Sequence, residues 1–207
     1  MLKLMGRKGT GSAAAEALLA LIGADYKIED VERDAQGEIP ASYRRINPRG
    51  EVPSLILADD SVMTESAAIM IYLADLYPKA GLAPAIASAE RARYLRWMTY
   101  LATTLYMSDL RYFYPARYSV DANAAPGIKA KALADMDNEF DALAEGLGKG
   151  PWFVENRMTA LDIYAAMLLS WAPDSAALAA KHPNLAALAK ATAANPAVAK
   201  VWARHGM

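Results

Sequence analysis

The chain predicts an α/β first part followed by an all-helical second part. Three observations predict this. Over the first 78 residues, short apolar runs closed by turn residues alternate with helical periodicity, in the order β-α-β, a gap, then β-β-α. Beyond that point every periodic stretch is helical. Alanine follows the same divide: 33 of the 45 alanines lie after Lys79, which suits closely packed helices of high intrinsic propensity.

The elements follow in order. Leu2 to Met5 is an apolar run ended by Gly6 and reads as a strand. Ala13 to Ile22 sets Leu18, Leu19 and Ile22 on one face of a helix that Gly23 stops. Tyr26 to Val31 and Val52 to Ala58 read as strands. Asp59-Asp60 turns the chain, and Ser61 to Met63 returns as a short hairpin strand. Ile69, Tyr72, Leu73 and Leu76 then keep helical spacing up to Tyr77-Pro78. Lys79 to Pro84 is the linker, giving domains at 1–78 and 85–207. In the second, helices are expected from Ala85 to about Arg111, Ile128 to Leu147, Leu161 to Trp171, Asn184 to Ala194 and Ala197 to Arg204, with Trp97 and Trp171 in the core.

Composition narrows the function. A 55% hydrophobic, 22% charged chain of 207 residues supports a packed core. A net charge of −1 argues against a protein built to hold nucleic acid. With no cysteine, thiolate metal sites, disulfides and a protein thiol nucleophile are excluded. Only His182 and His205 exist, so neither a Ser-His-Asp triad nor a multi-histidine metal centre is expected. No apolar run reaches the length of a membrane span, the start lacks a secretory signal, and the expected compartment is the cytoplasm.

Four segments carry chemical information. In Asn47-Pro-Arg-Gly-Glu-Val-Pro53, a proline opens an apolar strand. Pro53 is either an ordinary trans strand opener or the cis partner of Val52, which turns the Val52 backbone outward to pair with an extended peptide-like ligand. In Thr64-Glu65-Ser66, Ser66 caps a helix whose N-terminus either stands alone or holds a carboxylate, with Glu65 beside it to accept from an ammonium group. Gly6 to Ser12 is glycine-rich but fits neither nucleotide fingerprint. It leaves two hydroxyls, Thr10 and Ser12, at a helix start, where Ser12 also reads as a plain N-cap. Thr159-x-x-Asp162 is a capping box, with Met158 and Ile163 as its hydrophobic staple, and is structural.

Together these segments resemble the cytosolic glutathione transferases, over nearly the whole chain and with spacing most like the bacterial members. The resemblance rests on Asn47 to Pro53, on Thr64-Glu65-Ser66-Ala-Ala-Ile followed by Tyr72-Leu73-Ala74-Asp75, and on the Thr159-x-x-Asp162 box. It implies a thioredoxin-like N-terminal domain and an all-α C-terminal helical bundle. It implies a detoxifying homodimer that uses glutathione as co-substrate, with no permanently bound cofactor and no metal. Carried over, Val52 pairs its backbone with the cysteinyl part of glutathione, Pro53 is the cis proline, and Glu65 and Ser66 hold the γ-glutamyl end. The helical domain covers an apolar pocket for a small hydrophobic electrophile.

The chain departs from the family at the sulfur. Many members present a tyrosine just after the first strand, where Met5 and Gly6 stand here, and bacterial members of the cysteine type carry Cys where Gly11 stands. Serine-type members use a hydroxyl, which points to Ser12 first and Thr10 second. A thiol of pKa ~8.5 is about 3% thiolate at pH 7, and two units of depression need ~2.7 kcal/mol. A hydrogen bond to the charged sulfur supplies ~1.5–3 kcal/mol and a helix N-terminus ~0.3–2 more. In the helical half, Tyr106, Tyr112, Phe113, Tyr114 and Tyr118, with Arg117, are either pocket or packing. Tyr106 is the choice for a residue near the reacting centre, with Tyr114 also in the pocket. The alternatives are a glutathione-fold binding protein without turnover, or a glutathione-dependent etherase, dehalogenase, isomerase or peroxidase.

Overall fold

The first strand, β1 (Leu2–Gly6), runs beside β2 (Tyr26–Asp30), and the two are joined by α1 (Ser12–Ile22). The pairing is parallel, from Leu2 opposite Tyr26 to Gly6 opposite Asp30, so a crossover helix is required between them. α1 ends at Gly23, whose φ of 69° is the left-handed region that favours glycine; its amide donates to Ala20 while Ala24 donates to Leu19. The short α2 (Ala41–Arg44) precedes β3 (Ser54–Ile56). β3 pairs antiparallel with β1 and with β4 (Val62–Met63), giving the order β2-β1-β3-β4. α3 (Ser66–Leu76) follows and packs on α1. The core of this unit is Leu4, Leu18, Leu19, Leu55, Ile69 and Leu73, all fully buried.

This computed structural model describes residues 1–154 and 156–207. Two units form within it, Met1–Ala83 with Thr192–Met207, and Pro84–Ala191. α10 (Pro196–His205), at the end of the span 85–207 expected as the helical domain, buries Val198, Val201 and Trp202 and packs on α1 within the first unit. Asn195 caps it, accepting from the amides of Ala197 and Val198.

The second unit is helical throughout. The single helix expected to run from Ala85 to Arg111 is α4 (Ala89–Tyr100), one π-helical segment (Leu101–Leu105) and α5 (Tyr106–Phe113). α6 (Ala125–Leu147) packs along α5. α7 (Ala160–Leu169) is buried over its full length, and α8 (Ser175–Lys181) and α9 (Pro183–Ala193) follow. The Asp162 carboxylate secures the start of α7. It accepts from the Thr159 amide at 2.7 Å, the Thr159 hydroxyl at 2.8 Å and the Phe153 amide at 2.9 Å. Burial pushes the Asp162 carboxyl up to about 6 although these bonds pull it down. Trp97 is buried as expected, whereas Trp171 is only half-buried. Among the described residues no helix is long and apolar enough to cross a membrane.

Candidate ligand site at the carboxyl end of β1

Strand register brings three of the singled-out segments to one end of the sheet. β1 and β3 pair Met5 with Ser54, and β3 and β4 pair Leu55 with Met63. Continued outward, these registers set Gly6 beside Pro53, and Pro53 across from Glu65. Ligands in α/β folds gather at the carboxyl ends of parallel strands, and this is that end of β1 and β2.

The Val52–Pro53 bond is cis. Ladder pairing starts at Ser54, so half-buried Val52 lies just beyond it. The segment is braced from α2 and the loop after it. The Tyr43 hydroxyl lies 2.7 Å from the Glu51 carbonyl, to which it donates, and 2.8 Å from Ser54 Oγ. Asn47 Nδ2 donates to the same carbonyl at 2.8 Å and to Ser54 Oγ at 3.3 Å. Burial raises the Tyr43 hydroxyl above its ordinary value, opposed by its bonds to Ser54 and Asn47 and by the Arg7 charge. Sequence reasoning missed this brace. Tyr43 carries no motif of its own, and Asn47 reads only as part of a turn.

Glu65 is exposed and caps α3 with φ 66° and ψ 105°, a conformation that side-chain-bearing residues rarely adopt. Such strain persists only where the surroundings over-determine it, and it clusters at ligand clamps. The next residue, Ser66, is buried at the start of the helix.

The turn from Gly6 to Ser12 is closed by its own hydroxyls. Ser12 Oγ accepts from the Arg7 amide at 3.1 Å and lies 3.0 Å from the Arg7 carbonyl. Thr10 Oγ1 donates to that carbonyl at 2.6 Å and sits 2.9 Å from Ser12 Oγ. Gly11, not Ser12, is the cap of α1, and Ser12 is fully buried. Thr10 is half-buried. Thr10 is thus the more exposed of the two hydroxyls. Gly6 is required here because an added Cβ would come within 2.9 Å of Ser12 Oγ. Arg7 Nη1 is buried with no hydrogen-bond partner among the described residues.

In the helical unit, Tyr106 stands in an aromatic cluster, 5.5 Å from the Trp171 ring and 6.5 Å from the Tyr164 ring. Tyr114, just past the end of α5, is exposed with the Arg117 guanidinium 4.0 Å over its ring. The two tyrosines stand at opposite ends of α5. α5 also carries Asp109, 2% exposed, with neither carboxylate oxygen hydrogen-bonded among the described residues. Burial, with Glu139 on α6 adding to it, raises its carboxyl to about 8.

A four-stranded α/β unit with a cis-proline loop, followed by a helical unit, defines a thioredoxin-like domain coupled to a helical bundle. The glutathione S-transferase N-terminal domain model matches residues 12–76 and the corresponding C-terminal domain model matches residues 97–205. The chain belongs to the glutathione S-transferase family. It is 30% identical to the glutathione S-transferase GstA of Escherichia coli O157:H7, over 83% of this chain and 82% of that one. It is 29% identical to the uncharacterised GST-like protein YncG of Escherichia coli K12, over 99% and 98%. Among solved structures, a glutathione transferase homologue from Sulfitobacter with bound glutathione matches with a TM-score of 0.91 at 25% identity, over 100% of this chain and 99% of that one. A sphingomonad glutathione S-transferase complexed with glutathione matches at 0.81 and 30%, over 99% of both chains.

Proposed function

We propose that this chain is a cytoplasmic, homodimeric glutathione transferase that binds glutathione at the carboxyl end of β1. It stabilises the thiolate there and presents it to a small apolar electrophile. The observation that carries this reading is the convergence of the Gly6–Ser12 turn, the cis Val52–Pro53 bond and the strained Glu65 on one sheet end. In it, the Val52 backbone pairs with the cysteinyl residue beside Pro53. Glu65 accepts from the γ-glutamyl ammonium, and Ser66 with the N-terminus of α3 holds the adjoining carboxylate. The Arg7 guanidinium takes the glycyl carboxylate.

At the sulfur, the Thr10 hydroxyl turns from the Arg7 carbonyl to the thiolate, supported by Ser12 Oγ and the N-terminus of α1. Hydrogen bond and helix end together supply ~2–5 kcal/mol, a range that spans the ~2.7 kcal/mol that the thiol needs. The thiol proton leaves to solvent. The sulfur lone pair forms the bond to carbon, and either a leaving group departs with its electron pair or the adduct takes a proton from water. Tyr106 and Tyr114 are the helical unit's contribution to the electrophile in this reading.

Calorimetry with glutathione, followed by turnover of a panel of electrophiles with and without it, tests this. Saturable heat and glutathione-dependent turnover are expected, with Thr10→Ala lowering kcat/KM about tenfold while glutathione still binds. No heat and no turnover overturn it. One observation favours a second reading, a glutathione-binding protein without turnover: both hydroxyls of the turn are already spent on the Arg7 backbone. Binding without turnover of any electrophile would select that reading.

A further inference from the structure

We propose that His205 is the positioning residue of the sulfur-activating turn, which it holds through the backbone amide of Gly9. The inference rests on the glutathione reading above and adds to it a group supplied from the far end of the chain.

Glu16 is the one charged residue of α1, between Ala15 and Ala17, and only 4% exposed. Its Oε2 accepts from Arg204 Nη1 at 2.7 Å and lies 2.8 Å from His205 Nε2. Arg204 Nη2 reaches both oxygens of Asp30, at 2.6 and 2.7 Å, at the end of β2. The other ring nitrogen, His205 Nδ1, accepts from the Gly9 amide at 3.2 Å.

Those contacts fix the proton on the ring. A backbone amide only donates, so Nδ1 presents a lone pair. The proton then sits on Nε2 and is donated to Glu16. Arg204 Nη1, 3.2 Å from Nε2, is a second donor converging on the same carboxylate oxygen. The carboxylate thus orients the imidazole, and the imidazole holds the turn, in the way outer groups orient the ligands of a metal. The His205 side chain has no exposure to solvent.

Gly9 lies in the left-handed region at φ 66°, between Arg7 and Thr10. Its amide ties the middle of the turn to α10, in a segment that its own hydroxyls close and that the Val31 amide holds at its start by donating to the Gly6 carbonyl at 2.7 Å. A buried ionic cluster is weak evidence for stability, because desolvation offsets most of its attraction. Its distinctive consequence here is placement: Thr10 and the start of α1 stay fixed with respect to the sulfur.

The test uses the full chain with His205→Phe, which keeps a ring but loses both nitrogens, and His205→Asn, whose Oδ1 can replace Nδ1 as acceptor. Three readouts are taken: exchange of the Gly9 amide with solvent by NMR, kcat and KM for glutathione, and thermal unfolding. His205→Phe is expected to speed Gly9 exchange about tenfold and to lower kcat about tenfold, with KM changed less than about twofold. His205→Asn is expected to recover most of both, although it loses the bond to Glu16 and melts early as the Phe variant does. Equal kcat in the two variants, tracking only their melting, overturns the proposal. So does unchanged Gly9 exchange in His205→Phe. If the Phe variant does not fold, Glu16→Gln takes its place, since an amide orients the ring less firmly than a carboxylate. Faster Gly9 exchange is expected there, and unchanged exchange overturns the proposal. A wild type that neither binds glutathione nor turns over would sink the parent reading instead. Gly9 exchange would then still decide whether His205 holds the turn.

Discussion

The hydroxyl of Ser12 is bonded to both backbone groups of Arg7, the amide at 3.1 Å and the carbonyl at 3.0 Å, so one side chain ties off the start of the turn. Ser12→Ala leaves both groups without that partner in a buried place. Denaturant unfolding is expected to show a loss of about 1–3 kcal/mol. Gly6→Ala, which drives a Cβ against the same hydroxyl, is expected to destabilise as well. An unchanged midpoint in Ser12→Ala would show that the turn stands without it.

Arg7 offers a buried nitrogen with no partner among the described residues, and in the proposed site it meets the glycyl carboxylate. Arg7→Met is expected to weaken glutathione about tenfold by calorimetry. Glutathione amidated at its glycyl end should bind the wild type as weakly, and Arg7→Met should weaken it little further. An equal loss for both ligands would place the carboxylate elsewhere.

Asp109 gives stability a pH dependence of known sign. Its carboxyl rises from an ordinary 3.8 to about 8 on folding, burial being the larger cause and Glu139 the smaller. The folded state therefore holds the proton longer than the unfolded state. The favourable contribution is complete below about pH 4, declines as pH rises, and is gone above about pH 8. Asp109→Asn removes the need to keep a proton, so it should raise the melting temperature at pH 8 more than at pH 5. A larger gain at pH 5 would contradict the sign.

Asp162 bridges Thr159 and Phe153 with three hydrogen bonds inside the core. Asp162→Ala strands two amides and a hydroxyl at the start of a helix that is buried along its length. A loss of about 3 kcal/mol or more is expected in chemical unfolding. Asp162→Asn, which keeps one oxygen, should lose less. Equal losses in the two variants would mean that charge rather than geometry secures the box.

Much of this was legible in the sequence because local chemistry decided it. Thr159 and Asp162 announce their capping box by spacing alone, and Pro53 marks the start of β3 by turn preference, whereas Ser66, expected as the cap of α3, is its first residue and Glu65 stands at the cap. β3 is shorter than its apolar run suggests, since Leu57 and Ala58 already turn toward Asp59. The π segment at Leu101–Leu105 has no marker residue, so α4 and α5 read as one helix. The Glu16 cluster joins residues 189 apart in sequence, and no periodicity reports such a meeting. The one local hint was a carboxylate in the apolar run Ala13 to Leu19. The pairing of hydroxyls with the Arg7 backbone was likewise invisible, because a serine at a helix start looks the same whether it faces a ligand or its own turn.

The first unit is discontinuous along the chain, since Thr192–Met207 completes what Met1–Ala83 begins. During synthesis the whole helical unit emerges before α10 does. Until then the α1 surface that α10 covers is bare, Glu16 has neither of its basic partners, and the Gly9 amide has no acceptor at His205. Vectorial folding must therefore leave the thioredoxin-like part unfinished while its neighbour matures, and a nascent chain arrested before Thr192 should remain open to proteolysis in that part.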